Sequence, residues 1–137
     1  MVDQANVSQE VIDAFAAISA GDKRWAIAKV DDSQVVLEAL GDKTDDCAAD
    51  IAAMAAATGD EPRYIVFDFE AKKKDGSGLK KIVFIAYSPD SCSSMQLKFA
   101  LQNFKASCKS KINAHKEMQV NDKRDLKESE FRDLFDI

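Results

Sequence analysis

Lys98, Lys105 and Lys109 fall seven and then four residues apart in the stretch MQLKFALQNFKASCK. On a helix that spacing lines up three ammonium groups within about 40° of one another. Such a row attracts carboxylates. Leu97, Leu101, Phe104, Cys108 and Ile112 form a separate stripe at helical spacing, the face a helix buries. Met95, Phe99 and Ala106 lie near 180° from that stripe, roughly opposite the core. Two plain readings exist for an outward Met and Phe: cover from the preceding loop, or the scattered apolar exposure of any surface. The functional reading is an apolar ridge with a cationic border, shaped to enter a groove on a protein partner. Burial of Phe99 alone would supply about 1.5–3 kcal/mol, enough for an anchor.

Residues for covalent chemistry are sparse. His115 is the single histidine and falls in an expected loop, where a surface role accounts for it. Cys47, Cys92 and Cys108 form no CxxC pair, and their odd number argues for reduced thiols. Cys92 precedes a helix start, where a thiol pKa falls, so a thiol enzyme or redox sensor is the reading from that class. No His or second Cys stands beside it in sequence to support this. Gly-rich phosphate loops are absent, and GDKT (41–44) lacks the upstream Gly a P-loop needs. His and Cys are too scattered for a zinc site. The expectation is a protein that is not an enzyme and has no metal or cofactor.

Charge is unevenly spread. The chain carries −5 overall, yet residues 1–63 hold 13 acidic and 5 basic side chains, whereas residues 90–127 hold 8 basic and 4 acidic. One locally basic surface on an acidic protein implies an acidic partner for that surface. Nucleic acid is disfavoured, since the overall field repels phosphate.

The elements that must position these residues are legible from periodicity. The 137 residues suffice for one domain, 1–137, with a real core. No apolar run is long enough to span a bilayer, and MVDQANVSQ does not resemble a secretory signal. Ser8 is suited to cap a helix over 9–19, with Val11, Ile12, Phe15 and Ile18 on one face. Residues 24–30 and 33–40 read as strands joined at Asp31-Asp32, and 44–59 as an Ala-rich helix capped by Thr44. RYIVFDFE (63–70) and KKIVFIAY (80–87) are apolar on both faces, as central strands between helix layers must be. The polar AKKKDGSGL joins them as a hairpin. After Ser88-Pro89-Asp90 come the long helix over 94–112, a short strand KEMQVN and a terminal helix with Leu126, Phe131 and Leu134 inward. This predicts an α/β (α+β) three-layer domain, a mixed sheet of about five strands between helices.

"YIVFDFE", "KKIVFIAYSPDS", "KFALQNFK" and "EMQVND" resemble, in order and spacing, the actin-depolymerising factor/cofilin family, as does the opening "NVSQEVIDAF". The strand–Ser-Pro-Asp–long-helix unit is the most specific part, and the likeness covers nearly the whole chain. The resemblance implies the cofilin-like fold of an ADF-homology domain. It also implies binding to actin monomers and filaments, a preference for the ADP state, and severing and depolymerisation of filaments. It implies a monomer working in the cytoplasm, on the cytoskeleton and in the nucleus. Its monomer-binding surface maps to Asp3, Gln4, Ala5 and Asn6 and to Met95, Lys98, Phe99, Gln102 and Lys105. Its filament-only surface maps to Lys72, Lys73, Lys74, Lys80 and Lys81 of the hairpin and to Lys127 and Arg132 of the last helix. The same cationic surface in the family takes phosphoinositide head groups.

Several positions depart from the family pattern. Asp3 stands where the regulatory serine is expected, which removes phosphorylation there and leaves a poor mimic of a phosphate. The usual Lys-x-Lys-Met reads Gln96-Leu97-Lys98-Phe99, and matching it takes a one-residue insertion in CSSMQ. Leu79 replaces a common basic residue and Tyr87 the commoner Trp. These departures leave room for relatives of the same fold with other partners: a glia maturation factor-like binder of the branched-filament nucleator, or a coactosin-like side-binder that does not sever.

Overall fold

A computed structural model of the chain describes residues 7–137. Four helices flank one mixed sheet. Helix α1 is Gln9–Ser19, strand β1 Lys23–Asp31, β2 Gln34–Asp42, and helix α2 Cys47–Ala57. Strand β3 is Arg63–Lys72, β4 Gly78–Tyr87, helix α3 Met95–Lys109, β5 Lys116–Val120, and helix α4 Glu128–Leu134. The spatial order is β2-β1-β3-β4-β5, antiparallel except for the parallel β4–β5 pair. The three-layer expectation is met.

The apolar pattern explains the layers. Residues 64–69 of β3 and 83–87 of β4 are buried on both faces, so each face needs a helical cover. On one side Val11, Phe15 and Ile18 of α1 join Leu101, Cys108 and Ile112 over Tyr64, Val66 and Phe84. On the other, Ile51 and Met54 of α2 and Phe131 of α4 cover Ile65, Phe67, Val83 and Ile85. Phe131 stacks on Phe69 with ring centroids 5.2 Å apart, which fixes α4 on the sheet.

Four expected boundaries move. The β1–β2 turn is Asp32-Ser33 rather than Asp31-Asp32, with Val30 opposite Val35 and Asp31 opposite Gln34. Both turn residues are left-handed (φ 49° and 65°), as a two-residue hairpin matched to strand twist requires. Helix α2 starts at Cys47 and not at 44, because Asp46 is the cap, its carboxylate accepting from Ala49 N at 3.1 Å. Thr44 instead accepts from Asp46 N and donates to Asp50. Helix α3 spans Met95–Lys109, shorter than 94–112: Ser94 caps its start and Ser110 closes its end. The β3–β4 strands run two residues further into the hairpin than expected, to Lys72 opposite Gly78.

Gly41 allows a close approach that holds the β1–β2 edge. Trp25 lies across it, and a Cβ built there would sit 2.0 Å from Trp25 Cε2. Gly41→Ala is therefore expected to displace the indole and cost on the order of 1–3 kcal/mol. Urea unfolding of the variant checks this; an unchanged midpoint would show that the indole can move freely.

Candidate functional site

Helix α3 is held in place from below and at its start. Ser94 Oγ accepts from Leu97 N at 3.3 Å. Leu101 and Cys108 are buried, while Leu97 and Phe104 are half-buried. The buried Tyr64 phenol donates to the Leu101 carbonyl and ties the middle of α3 to β3. Burial, with a contribution from Cys108, raises the Tyr64 hydroxyl well above its ordinary value, so it remains a donor.

With its inner face used, α3 presents the ridge. Met95 is 59% exposed and Phe99 61%, so the preceding loop does not cover them. One turn apart, they form a continuous apolar strip rather than scattered exposure. Beside Phe99 runs a groove of about 390 Å³ between α3 and the β1–β2 turn, with Val30, Asp32, Leu97 and Phe104 in its walls. Gln102 is exposed one turn further along.

The lysines of the flank are not equivalent. Lys98 is half-buried and makes no ion pair among the described residues. Lys105 and Lys109 both pair with Glu117 of β5, Lys109 Nζ at 2.6 Å from Oε1 and Lys105 on Oε2. Hydrogen bonds from Lys105 and then Lys109 outweigh burial and hold the Glu117 carboxyl below the ordinary glutamate value. Asp3, Gln4, Ala5 and Asn6 lie outside the described residues. Val7 bridges Val35 in parallel and shares a core cluster with Leu101, so the chain enters on the α3 side of the sheet.

The second surface lies across the molecule. Lys72, Lys73 and Lys74 are exposed at the β3–β4 turn, which Gly76 (φ 87°) and the Gly76 N–Lys73 O bond close. Lys80 is exposed but paired with the buried Asp68, and Lys81 is half-buried. Lys127 is exposed just before α4, and Arg132 lies 3.7 Å from Glu128 one turn back. Lys72, Lys80 and Glu128 border one groove of about 820 Å³, so the hairpin and the start of α4 share a rim. Leu79 is not a basic contact exchanged for an exposed leucine: it is buried among Phe69, Val83 and their neighbours. Tyr87 is likewise buried, its hydroxyl donating to Gly59 O at 3.2 Å.

His115 is exposed, but both its backbone N–H and its Nδ1 bond to Ile82, pinning the α3–β5 loop to β4. Cys92 lies two residues before the Ser94 cap, its N–H donating to Pro89 O. Among the described residues no group of three or more His, Cys, Asp or Glu is arranged to hold a metal.

Sequence reasoning missed a charged network under the second surface. Arg24 is 2% exposed; its Nε donates to Asp50 at 2.8 Å, and its Nη atoms to Glu70, the Asp68 carbonyl and the Thr44 carbonyl. Lys43 pairs with Glu70 and the Asp68 carboxylate and Lys80 with that same carboxylate, whose Oδ1 has no partner among the described residues. Parity offered no signal: residues 24–28 are all buried, and Arg24 shares its parity with Ala26 and Ala28 under α1 and α3, whereas its partner Asp50 belongs to α2 on the opposite face. Burial raises the Asp50 carboxyl, but bonds from Thr44 and Arg24 outweigh it and hold it below its ordinary value. Because its folded-state value is lowered, the stability Asp50 contributes is fully present above the ordinary carboxylate value of about 4 and is lost as pH falls from there through the lower folded-state value. Asp50→Asn is expected to cost about 3 kcal/mol near neutrality, by leaving Arg24 undercompensated. The difference from wild type should shrink as pH drops from about 4 towards 2. Urea unfolding across that range measures it, and a gap constant with pH overturns the assignment.

Residues 4–135 match the family described as cofilin/tropomyosin-type actin-binding protein. A cofilin of Gibberella zeae is 31% identical over 134 residues, covering 89% of this chain and 87% of that protein. An actin-depolymerizing factor of Brassica napus is 42% identical over 71 residues, 50% of this chain and 52% of that protein. The chain thus spans about half the length of that plant relative. Among solved structures, actin depolymerization factor 2 of Plasmodium berghei superposes with TM-score 0.86 at 24% identity, covering 100% of both chains. Coactosin from Entamoeba histolytica gives 0.75 at 16% identity, covering 98% of this chain and 96% of that one. These likenesses show a shared fold.

Proposed function

Because the chain belongs to the ADF/cofilin family of actin-binding proteins, we propose that it binds actin monomers and filaments and promotes filament severing and depolymerisation. The observation that carries this reading is the exposed Met95–Phe99 strip on a rigidly anchored α3. The strip enters an apolar cleft of the actin monomer, and Lys98 meets the acidic rim. Burying Phe99 contributes about 1.5–3 kcal/mol, and the fixed helix axis keeps the entropic cost of binding low. Residues Asp3–Asn6 complete the monomer surface. The hairpin lysines 72–74, with Lys80, Lys81, Lys127 and Arg132, engage the neighbouring subunit of a filament. Phosphoinositide head groups compete for that cationic surface. The protein works as a monomer on the cytoplasmic actin cytoskeleton, with the nucleus as a further compartment. No helix of the described residues is long and apolar enough to cross a membrane.

A coactosin-like reading, filament binding without severing, is favoured by one observation. Lys80, Lys105 and Lys109 are all engaged by carboxylates of the chain itself, which leaves fewer cations for actin. Co-sedimentation with actin filaments separates the two readings. Severing and depolymerisation raise supernatant actin while the protein pellets; side-binding pellets the protein alone.

Lys98→Ala with Phe99→Ala is expected to weaken monomer binding at least tenfold, about 1.4 kcal/mol or more, with a native circular dichroism spectrum. Unchanged affinity in a folded variant removes α3 from the site. Replacing Lys72, Lys73 and Lys74 with Ala is expected to reduce pelleting with filaments while monomer affinity stays within about twofold. Equal losses in both assays would show that the two surfaces are not separate.

A further inference from the structure

Glu117 belongs to β5, the edge strand beside β4, where it stands opposite Phe84. Its two carboxylate oxygens are each occupied by a lysine of α3: Oε1 by Lys109 at 2.6 Å and Oε2 by Lys105. The three side chains are 28–47% exposed, so water screens the cluster and its effect on folding is small. The helix does not need it for attachment, because Leu101, Cys108 and the Tyr64 phenol already fix α3 to the sheet. Lys98 escapes the clamp. It precedes Lys105 by seven residues, roughly 10 Å along the axis, about one Debye length in physiological salt. The flank of α3 therefore offers an acidic partner one open cation at its N-terminal half and, at its C-terminal half, two lysines engaged by one carboxylate and half-neutralised by it.

We propose that Glu117 is an affinity-limiting residue of the partner-binding surface: by holding Lys105 and Lys109, it confines the open cationic contact of α3 to Lys98. This rests on the reading of α3 as the actin-monomer surface. The clamp slows electrostatically steered encounter and lets complexes turn over. It also means that Lys105 contributes to binding only by exchanging Glu117 for a carboxylate of the partner, an exchange of nearly equal interactions. Any change that withdraws Glu117 makes two further cations available without altering the apolar strip.

Stopped-flow association with fluorescently labelled actin monomers tests this over a salt series. Glu117→Gln is expected to associate about three- to tenfold faster than wild type at low salt, with the curves converging near roughly 0.5 M. Asp60→Asn makes the same change in net charge at an exposed position in the α2–β3 loop and should stay close to wild type. Lys105→Ala should weaken binding more in the Glu117→Gln background than in wild type, the signature of coupling. Glu117→Asp keeps the charge but withdraws it by one methylene, and should fall between wild type and Glu117→Gln even if the Gln variant unfolds. A Glu117→Gln rate equal to that of Asp60→Asn means that only net charge matters, and overturns the clamp. So does a folded Glu117 variant, Gln or Asp, no faster than wild type. If wild type itself shows no association with monomers, the actin reading fails first, a result distinct from either of these.

Discussion

The rest of the structure depends on the double-sided burial of the β3–β4 pair. These strands are paired over ten residues, from Arg63–Tyr87 to Lys72–Gly78, and their middle carries large apolar groups on both faces. A strand pair of that composition is stable only between two covers. Helices α1 and α3 supply one cover and α2 and α4 the other. The same pair, carried beyond the core, becomes the polar hairpin with its lysines. The two candidate surfaces therefore share one origin: one is the outer face of a covering helix, the other the overhanging end of the covered strands.

Charge is organised in two depths. Beneath the second surface, Arg24 and Asp50 are nearly fully buried and their bonds are shared among Thr44, Glu70 and the Asp68 carbonyl. A buried pair of this kind adds little net stability but resists loss of either partner, so it enforces one arrangement of β1, α2 and β3. At the outer surface, the Lys105–Glu117–Lys109 cluster is exposed, weakly stabilising and easily exchanged. Buried charge specifies the scaffold, and exposed charge adjusts what it meets.

The elements legible in the sequence were those set by local rules. Helix α1 begins after Ser8 and ends at Ser19 because the cap and the Val11-Phe15-Ile18 spacing are both local. The exposure of Met95 and Phe99 followed from the same periodicity. What stayed hidden depended on distant partners. Nothing in the residues Asp32 and Ser33 announces that both adopt positive φ; the pairing of the flanking strands imposes it. Thr44 and Asp46 are equally good caps, and Thr44 is drawn away by Asp50. Leu79 reads as a surface residue of a hairpin until the second core cluster is assembled. Lys105 and Lys98 look alike along the helix, and only the position of β5 separates them.

Cys108 gives the anchored helix a chemical clock. Its thiol is fully buried under α3, and burial pushes it up to about 12. A thiol in that state is neither ionised nor reachable while α3 lies on the sheet. Reaction at Cys108 must wait for α3 to lift away, so with reagent at a concentration where capture outpaces reclosure its labelling rate counts those openings. A molecule bound across the outer face of α3 would slow that count without touching the cysteine. A residue that faces the core thus reports how often the helix above it leaves its seat.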